Sequence, residues 1–366
     1  TYKTYKVQGT STFGAKIDES FSRDGDQVQW KSTSDEGKQT VQGTALYQPL
    51  GGSPAGFSVA FNALSQRPDG KLPLIPSGTL TSRKVSQTQV QCGAETRDVQ
   101  LVAVTGVGLV PTFVWTTTDA NPRLFAFIYP GFVQLVEDGC QAVAADLETR
   151  QKQAEGDALV DLARRLGHPL AGTTVIRNAR VFDSEKATLG AASDVLVKDG
   201  KVVSVTPASN KPIAADHEID ANGKVLLPGL FDMHGHVGRW DGGLNLAAGV
   251  TTVRDMGNDN ATLQQMLGEI KAGTLMSPDV VPAGFIEGES KYSARNGFVV
   301  KDLADAKKAV DWYAEHHYPQ IKIYNSFPKD ILKDTVAYAH SKGMRVSGHV
   351  PAFMRAQDVV DDGFDE

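Results

Sequence analysis

The sequence predicts an α/β protein: a (β/α)8-type barrel with about five strand-helix units present, a small flanking β-sandwich, and a separate β-rich N-terminal domain. Two patterns predict this arrangement. Residues 1–139 contain short alternating runs separated by turn signals, whereas residues 229–366 alternate apolar strands with helices of about 10 to 15 residues. Strands that alternate with helices form parallel sheets, and five units in succession favour a barrel.

Length and composition limit the function classes. A chain of 366 residues should hold two or three domains, because single cores stop growing at about 250–300 residues. The net charge of -6, with no stretch that concentrates Lys and Arg, gives no basis for nucleic-acid binding. No run approaches the roughly 18 consecutive apolar residues of a membrane span.

Residues 1–139 are predicted to form an antiparallel sheet or sandwich. The runs "QVQWKST", "FSVAFNAL", "RDVQLVAV" and "RLFAFIYPGFVQLV" read as strands between turns such as "RDGD" and "GGSPAG". The region has no histidine, so it is a poor candidate for the chemistry. Cys92 and Cys140 could form one disulfide in an oxidising compartment, and two buried free thiols are an equal alternative.

The location of the protein is predicted from the same region. The chain starts at Thr1 without a methionine, which predicts that a tag or a signal peptide has been removed upstream. A β-rich domain with a cysteine pair favours a periplasmic or exported protein, with the cytoplasm as the alternative. Formation of a homo-oligomer, covering of the barrel and surface attachment are alternative roles for this domain.

Residues 140–171 are predicted to be a connecting helix and linker. Leu159, Leu162 and Leu166 recur at helical spacing, and Gly167 follows as a stop signal. Residues 172–228 return to short strands and are predicted to be the small β-sandwich segment. In this segment "KDGK" and "ANGK" read as tight hairpin turns.

Residues 229–366 are predicted to be the N-terminal part of the barrel. The strands are "FDMHGHV", "VTTVRDM", "DVVPAGFI", "QIKIYNS" and "MRVSGHV", and the helices lie near 241–248, 259–272, 302–317 and 329–342, with a last one starting near Phe353. This order gives five of the usual eight units. The chain stops at "DDGFDE", just before a sixth strand is expected.

Three inward-facing features at strand ends are candidates for chemistry. Alternate residues of a strand share one face, so His234 and His236 should converge at the carboxyl end, where barrel active sites lie. A strand end with two solvated histidines is the simpler alternative. Lys322 should face inward between Ile321 and Ile323, and a lysine buried there must be paired, deprotonated or modified. It could instead reach out to solvent.

His349 in "MRVSGHV" should also face inward, although a single core histidine is usually held by one hydrogen bond. Tyr324 lies two residues after Lys322 on the same face and is a candidate for lining the pocket. In the loop "EGESKYSARNGF", Tyr292 and Arg295 could bind a substrate carboxylate, because a guanidinium pairs with one bidentately. Such a loop is more often polar surface.

The stretches "VLLPGLFDMHGHVG", "AAGVTTVRDMG", "QIKIYN" and "SGHVP" resemble the amidohydrolase superfamily, in its imidazolonepropionase-like and metal-dependent dipeptidase branch. The resemblance covers roughly residues 172–366. It implies two divalent metal ions, with zinc favoured and manganese or cobalt as alternatives. His234 and His236 would hold one metal, Lys322 would be the carboxylated bridge, and His349 would bind the second metal.

The resemblance also implies a function and what this chain lacks for it. The family expects another histidine after strand six and a proton-shuttling aspartate after strand eight, both beyond residue 366. That missing C-terminal barrel segment could be supplied as a second fragment. The implied reaction is hydrolysis by metal-activated water of an amide bond in a small molecule such as a dipeptide, an N-acyl amino acid or a cyclic amide. Hydrolysis of a lactone or phosphotriester, and a non-catalytic fragment that binds a ligand or partner, are the alternatives.

Overall fold

The computed structural model describes residues 2–11, 14–130 and 133–366. The chain divides into two compact units, Thr1–Ala158 and Leu159–Glu366. The boundary lies inside a helix of 23 residues, Ala144–Leu166, within the segment predicted to be a connecting helix. Among the described residues, no helix combines the length and apolar character that a membrane crossing requires.

The described residues of the first unit form two sheets. A four-stranded antiparallel sheet has the strands in sequence order: β1 (Thr4–Thr10), β2 (Lys16–Asp24), β3 (Gln27–Lys31) and β4 (Glu36–Thr40). The second sheet has seven strands, again in sequence order: β5 (Leu46–Tyr47), β6 (Lys71–Ile75), β7 (Thr79–Cys92), β8 (Glu95–Thr105), β9 (Thr112–Thr117), β10 (Leu124–Tyr129) and β11 (Val133–Val136). Among the described strands of this unit, only β5 and β6 pair in parallel. The predicted β-rich character is therefore present.

One predicted strand of this unit is wrong. The run "FSVAFNAL" lies in helix α1 (Gly56–Ser65). Phe57, Ala60, Phe61 and Leu64 follow the i, i+3, i+4, i+7 spacing of a helix, and the last three are buried. Helical burial along this spacing outweighs the period-two alternation at the start of the run.

Cys92 and Cys140 form a disulfide, which decides between the two alternatives left open by the sequence. The bond joins the end of β7 to the residue before a short 3-10 helix, Gln141–Val143, across a sequence separation of 48 residues. A cross-link over a loop of this length removes many conformations from the unfolded chain. The disulfide therefore stabilises the first unit.

The double substitution Cys92→Ser and Cys140→Ser is expected to lower the free energy of unfolding by about 2–4 kcal/mol, because it restores that loop entropy. Urea denaturation of the full chain would measure the change, with reduced wild-type protein as the control. Thiol titration of the unreduced, unfolded chain should find no free thiol. Two reactive thiols, or an unchanged urea midpoint, would contradict the assignment.

The second unit begins with the end of α2 (Ala144–Leu166) and a four-stranded sheet. Its strands are β12 (Thr173–Asp183), β13 (Thr188–Lys198), β14 (Lys201–Pro207) and β15 (His217–Asp220), with β16 (Val225–Leu226) also paired to β12. These residues form a single sheet, so the second layer of the expected sandwich stays a prediction. The "KDGK" hairpin is confirmed: Asp199 and Gly200 both have positive φ, as a type I′ turn between β13 and β14 requires.

The "ANGK" turn is not a hairpin. Asn222 and Gly223 have positive φ, but β15 and β16 do not pair with each other. Both lie parallel to β12, at residues 174–177 and 180–181 of that strand. The turn therefore places β16 after β15 along the same edge of β12, and both strands pair with β12 rather than with each other.

A parallel sheet follows, with strands in sequence order and helices between them. The strands are β17 (Leu230–Gly235), β18 (Val250–Asp255), β19 (Asp279–Gly288), β20 (Phe298–Val300), β21 (Gln320–Ile323) and β22 (Arg345–Gly348); β20 is a short side branch on β19. The helices are α3 (Asp241–Ala247), α4 (Asn260–Lys271), α5 (Leu303–Glu315), α6 (Leu332–Ser341) and α7 (Ala356–Asp361), and a 3-10 helix, Lys329–Ile331, precedes α6. Ile321, Ile323 and Val346 are fully buried in the main core of this unit, together with residues of α5 and α6. The predicted alternation of strand and helix is thus present.

The parallel sheet is strongly curved. Residue 365 donates its backbone N–H to the carbonyl of Val346, so the chain end lies beside β22. Arg254 on β18 and Glu366 are therefore four strand steps apart, about 19 Å along a flat sheet. Their side chains nevertheless make two hydrogen bonds of 2.6 Å. Only a sheet that curls around its inner face can bring them together.

Candidate active site

The two histidines of "FDMHGHV" lie at the carboxyl end of β17. Their ring centroids are 5.7 Å apart. The Nδ1 atom of His236 lies 2.7 Å from the carbonyl oxygen of Gly257. Because a carbonyl only accepts, Nδ1 carries the proton and Nε2 keeps its lone pair. The His236 ring is thus oriented as a metal-ligating histidine usually is, by a hydrogen bond on its other nitrogen.

Gly257 allows this contact. Its φ is +146°, and a Cβ there would lie 2.6 Å from the ring of Phe285. A glycine therefore lets the loop after β18 run close enough to the sheet for its carbonyl to reach the imidazole. The glycine of "RDMG" has a structural role in the site.

Lys322 on β21 is 2% exposed. Among the described residues it has no hydrogen-bond or ion-pair partner. Burial lowers the pKa of its amine, the positive charge of Arg254 lowers it further, and Glu366 opposes the shift. The burial of Lys322 supports the prediction that its side chain faces the interior rather than reaching out to solvent.

His349 follows the last residue of β22 and lies close to Lys322. Burial, then the positive charge of Lys322, lowers the pKa of both His349 and His234. The ring of His349 is 4.4 Å from that of Tyr324 by centroids. Its Nδ1 lies 2.8 Å from Oδ1 of Asn325, a neighbour that sequence reasoning missed although it follows Tyr324 directly. The ends of β17, β21 and β22 thus bring His234, Lys322 and His349 close enough for their charges to interact. These three residues and Tyr324 form the strand-end cluster.

Arg254 and Asp255, neighbours in the stretch "TTVRDMG", have different roles. Asp255 is fully buried and accepts hydrogen bonds from the N–H groups of Val237 and Gly257, at 2.8 and 3.0 Å. It therefore fixes the loops that follow β17 and β18. Arg254 donates from Nε to the carbonyl of Met233 and pairs with Glu366, and its charge acts on Lys322.

Comparison with known proteins finds curated relatives that match parts of this chain. No family model matches the sequence. The chain is 34% identical over 93 residues to an L-hydantoinase of Paenarthrobacter aurescens, which covers 22% of this chain and 19% of that protein. It is 37% identical over 102 residues to a dihydroorotase of Streptococcus pneumoniae, which covers 25% and 24%. It is 29% identical over 106 residues to an imidazolonepropionase of Salmonella typhimurium, which covers 26% of each.

These relatives support the predicted resemblance to the amidohydrolase superfamily. Each matched segment spans about a quarter or less of the curated relative's length. A solved bottromycin amidohydrolase is also similar, with a TM-score of 0.45 and 25% identity over 54% of this chain and 42% of that one.

Two predicted binding residues lie on an exposed loop. Tyr292 is 79% exposed, with the Nζ atom of Lys291 4.8 Å from its ring centroid. Arg295 is exposed as well. Within the described residues, no hydrogen bond or ion pair joins either side chain to His234, Lys322 or His349. The structure therefore does not bring this pair to the strand-end cluster, whereas Tyr324 is part of it.

The set of possible metal ligands in this site depends on Lys322. Within the described part of the chain, no three His, Cys, Asp or Glu side chains lie close enough to hold a metal ion. Imidazole nitrogens are available from His234, His236 and His349, and zinc binds such donors. A buried lysine without a partner is the position at which a carboxylated side chain would add oxygen donors. The residues present fit a divalent cation only if Lys322 is modified in this way.

Proposed function

We propose that this protein is an enzyme of the amidohydrolase type, which hydrolyses an amide C–N bond in a dipeptide, an N-acyl amino acid or a cyclic amide by metal-activated water. Its relatives are hydrolases of amide and cyclic amide bonds, which supports the general reaction. The observation that carries the proposal is Lys322, buried and without a partner in the described residues, between the histidines of β17 and β22. A purely structural core position would favour an apolar residue there.

His234 and His236 would hold one divalent cation, zinc in the first instance, and His349 a second, with carboxylated Lys322 bridging both. Bound cations would polarise the scissile carbonyl and lower the pKa of water. The geometry of His236 supports its part, since the carbonyl of Gly257 leaves Nε2 available. The lone pair of His349 is on Nε2 in this arrangement, because Nδ1 donates to Asn325.

Lys322 is suited to carboxylation because its burial favours the neutral amine. The Nζ lone pair attacks the carbon of carbon dioxide, an N–C bond forms, and one N–H proton leaves to solvent. The product is a carbamate with one negative charge shared by two oxygens. Arg254 favours the reaction by holding Glu366 in a bidentate pair, because that carboxylate would otherwise be free to pair with the ammonium form.

Substrate would lie over the carboxyl ends of the strands. The ring of Tyr324 is tilted against the rings of His349 and Phe285, with centroids 4.4 and 4.8 Å away, and it would contact the group next to the scissile bond. Tyr292 and Arg295 would bind a substrate carboxylate if their loop covers the bound molecule. The solvent exposure of both side chains leaves them free to do so.

A closed (β/α)8 barrel would complete the site. The curl that joins Arg254 to Glu366 supports such closure. The remaining strands, with the histidine after strand six and the proton-shuttling aspartate after strand eight, would come from a C-terminal segment in the same polypeptide or in a second fragment. This segment would also pair with the free edge of β17.

The test combines metal analysis with a substrate panel. Purified protein, supplied with zinc and bicarbonate, should retain up to two equivalents of metal after gel filtration. Amine release would then be followed on dipeptides, N-acyl amino acids and cyclic amides. Protein that retains no metal under these conditions would contradict the proposal, and so would metal-loaded full-length protein that cleaves none of the three classes.

We also propose a periplasmic or exported location. The disulfide between Cys92 and Cys140 supports it, because such bonds persist in oxidising compartments. Fractionation of the native cells would decide: the protein should appear with periplasmic or secreted markers, and recovery with cytosolic markers would contradict the proposal.

A further inference from the structure

Glu287 is a buried carboxylate that the proposed reaction does not use. It lies near the carboxyl end of β19 and is 1% exposed. Its Oε1 accepts from the backbone N–H groups of Gly288 and Ser326, at 2.9 and 2.7 Å. Its Oε2 accepts from the N–H of Ala294, at 3.4 Å. A buried carboxylate that is satisfied by backbone N–H groups alone fixes the segments that carry those groups.

The three N–H groups come from two different loops. Gly288 and Ala294 belong to the loop at 288–297, which carries Tyr292 and Arg295. Ser326 belongs to the loop at 324–327, which begins with Tyr324 beside His349. The side chain of Glu287 therefore joins the loop of Tyr292 and Arg295 to the loop of Tyr324, which lies beside His349.

Other contacts show how closely these loops fit. The hydroxyl of Ser290 lies 2.9 Å from that of Ser326. The hydroxyl of Ser293 donates to the carbonyl of Gly288, at 2.5 Å. A Cβ at Gly288 would lie 1.9 Å from the carbonyl oxygen of Ser326, so the two backbones meet with no room for a side chain. The loops pack as one body, with the carboxylate of Glu287 at its base.

We propose that Glu287 is a positioning residue that fixes the loop at 288–297 against the loop at 324–327, and so sets where Tyr292 and Arg295 meet a substrate. The ligand part of this inference rests on the proposed function. The coupling of the loops does not, because it follows from contacts within the protein.

The two oxygens of Glu287 accept different hydrogen bonds, so one substitution can remove the bond to Ala294 and keep the bond to Ser326. In Glu287→Gln, the amide oxygen can still accept from Gly288 and Ser326, but the NH₂ group then faces the N–H of Ala294 and cannot accept from it. The reverse orientation would leave two donors unmatched, so it is disfavoured. The substitution should release the loop at 288–297 while the loop at 324–327 stays in place. Glu289→Gln removes the same charge two residues later, on an exposed side chain, and is the matched control.

Hydrogen–deuterium exchange of the full chain tests the coupling. Glu287→Gln should raise exchange in peptides from 289–296 by about threefold to tenfold, the range for loss of one hydrogen bond. In Glu287→Gln, peptides from β21 should exchange at the wild-type rate. In Glu289→Gln, all of these peptides should exchange at the wild-type rate. If Glu287→Gln does not fold, Ser326→Ala removes the hydroxyl tie to Ser290 without leaving a buried charge, and should raise exchange in the same loop. Exchange that equals wild type in whichever variant folds would overturn the proposal.

Kinetics on metal-loaded protein test the positioning role. For a dipeptide cleaved by wild type, Glu287→Gln should raise KM by about threefold to tenfold and leave kcat within about twofold. The effect should vanish on the matching dipeptide amide, which lacks the carboxylate. A fall in kcat at constant KM would overturn the role. If wild-type protein cleaves nothing, that result contradicts the proposed function. The exchange experiment still tests whether Glu287 couples the two loops.

Discussion

Replacing Lys322 by methionine is expected to abolish metal binding and to raise the free energy of unfolding at the same time. Methionine keeps the length and apolar stem of the side chain but removes the nitrogen. Metal affinity should fall by more than about 100-fold, since loss of an outer partner of a ligand already costs about 10–100-fold. Partial desolvation of an amine without a partner is unfavourable, so its removal should stabilise the protein by about 0.5–1 kcal/mol.

The stability gain should depend on pH in a defined direction. The pKa of Lys322 is lowered in the folded state, so the unfolded chain binds the proton more tightly. Stability of the wild type should therefore rise as pH increases toward the unfolded value of about 10.4, where both states become neutral. Methionine removes this dependence, and the difference between the two proteins should shrink at high pH.

Urea denaturation at a series of pH values, in metal-free buffer, would measure the effect. Lys329→Met, on the exposed 3-10 helix before α6, is the control for loss of one positive charge. A Lys322→Met variant that is less stable than wild type, or that binds zinc normally, would contradict the prediction.

Gly348→Ala is expected to destabilise the second unit strongly. Gly348 has φ of +155°, and its added Cβ would lie 2.2 Å from the carbonyl oxygen of Ile323. That oxygen accepts the N–H of His349, so relief of the clash would displace the strand end that carries the histidine. Strain and overpacking together should cost about 3–5 kcal/mol.

Gly343→Ala is the matched control for this change. Gly343 also has positive φ, +75°, but a Cβ there would meet nothing within 4 Å. It should cost only about 1 kcal/mol, the penalty for an L residue in the left-handed region. Chemical denaturation of both variants would compare them, and equal losses of stability would contradict the steric explanation at Gly348.

The order of strands and helices in the second unit can be predicted from periodicity, because the apolar residues of each segment are also the residues that the fold buries. Ile321 and Ile323 alternate with Lys322, and this pattern alone predicts which side chain faces the helices. The "FSVAFNAL" run fails because its apolar residues satisfy two periods, and only packing chooses between them. The "ANGK" turn fails for a related reason: the turn residues are correct, but a long neighbouring strand decides the pairing.

For the candidate site, the sequence predicts which side chains face the strand ends but not the neighbouring groups that hold them. His234, His236, Lys322 and His349 are identifiable because residue type and strand position coincide. The carbonyl of Gly257 and the amide of Asn325 are not, because a backbone oxygen or a common polar side chain carries no signal of its partner. The inward role of Arg254 depends on Glu366, which is 112 residues away in sequence.

Because of this separation, formation of the ion pair between Arg254 and Glu366 indicates that the strands between them have assembled correctly. Its contact cannot form until β18, β19, β21 and β22 have docked in order, so it closes late among the steps of folding. A slip of one residue in any of these pairings would turn one partner outward toward the helices and leave a charge stranded in apolar surroundings. The ion pair thus discriminates against misregistered sheets, and its loss should appear as slower or more heterogeneous refolding.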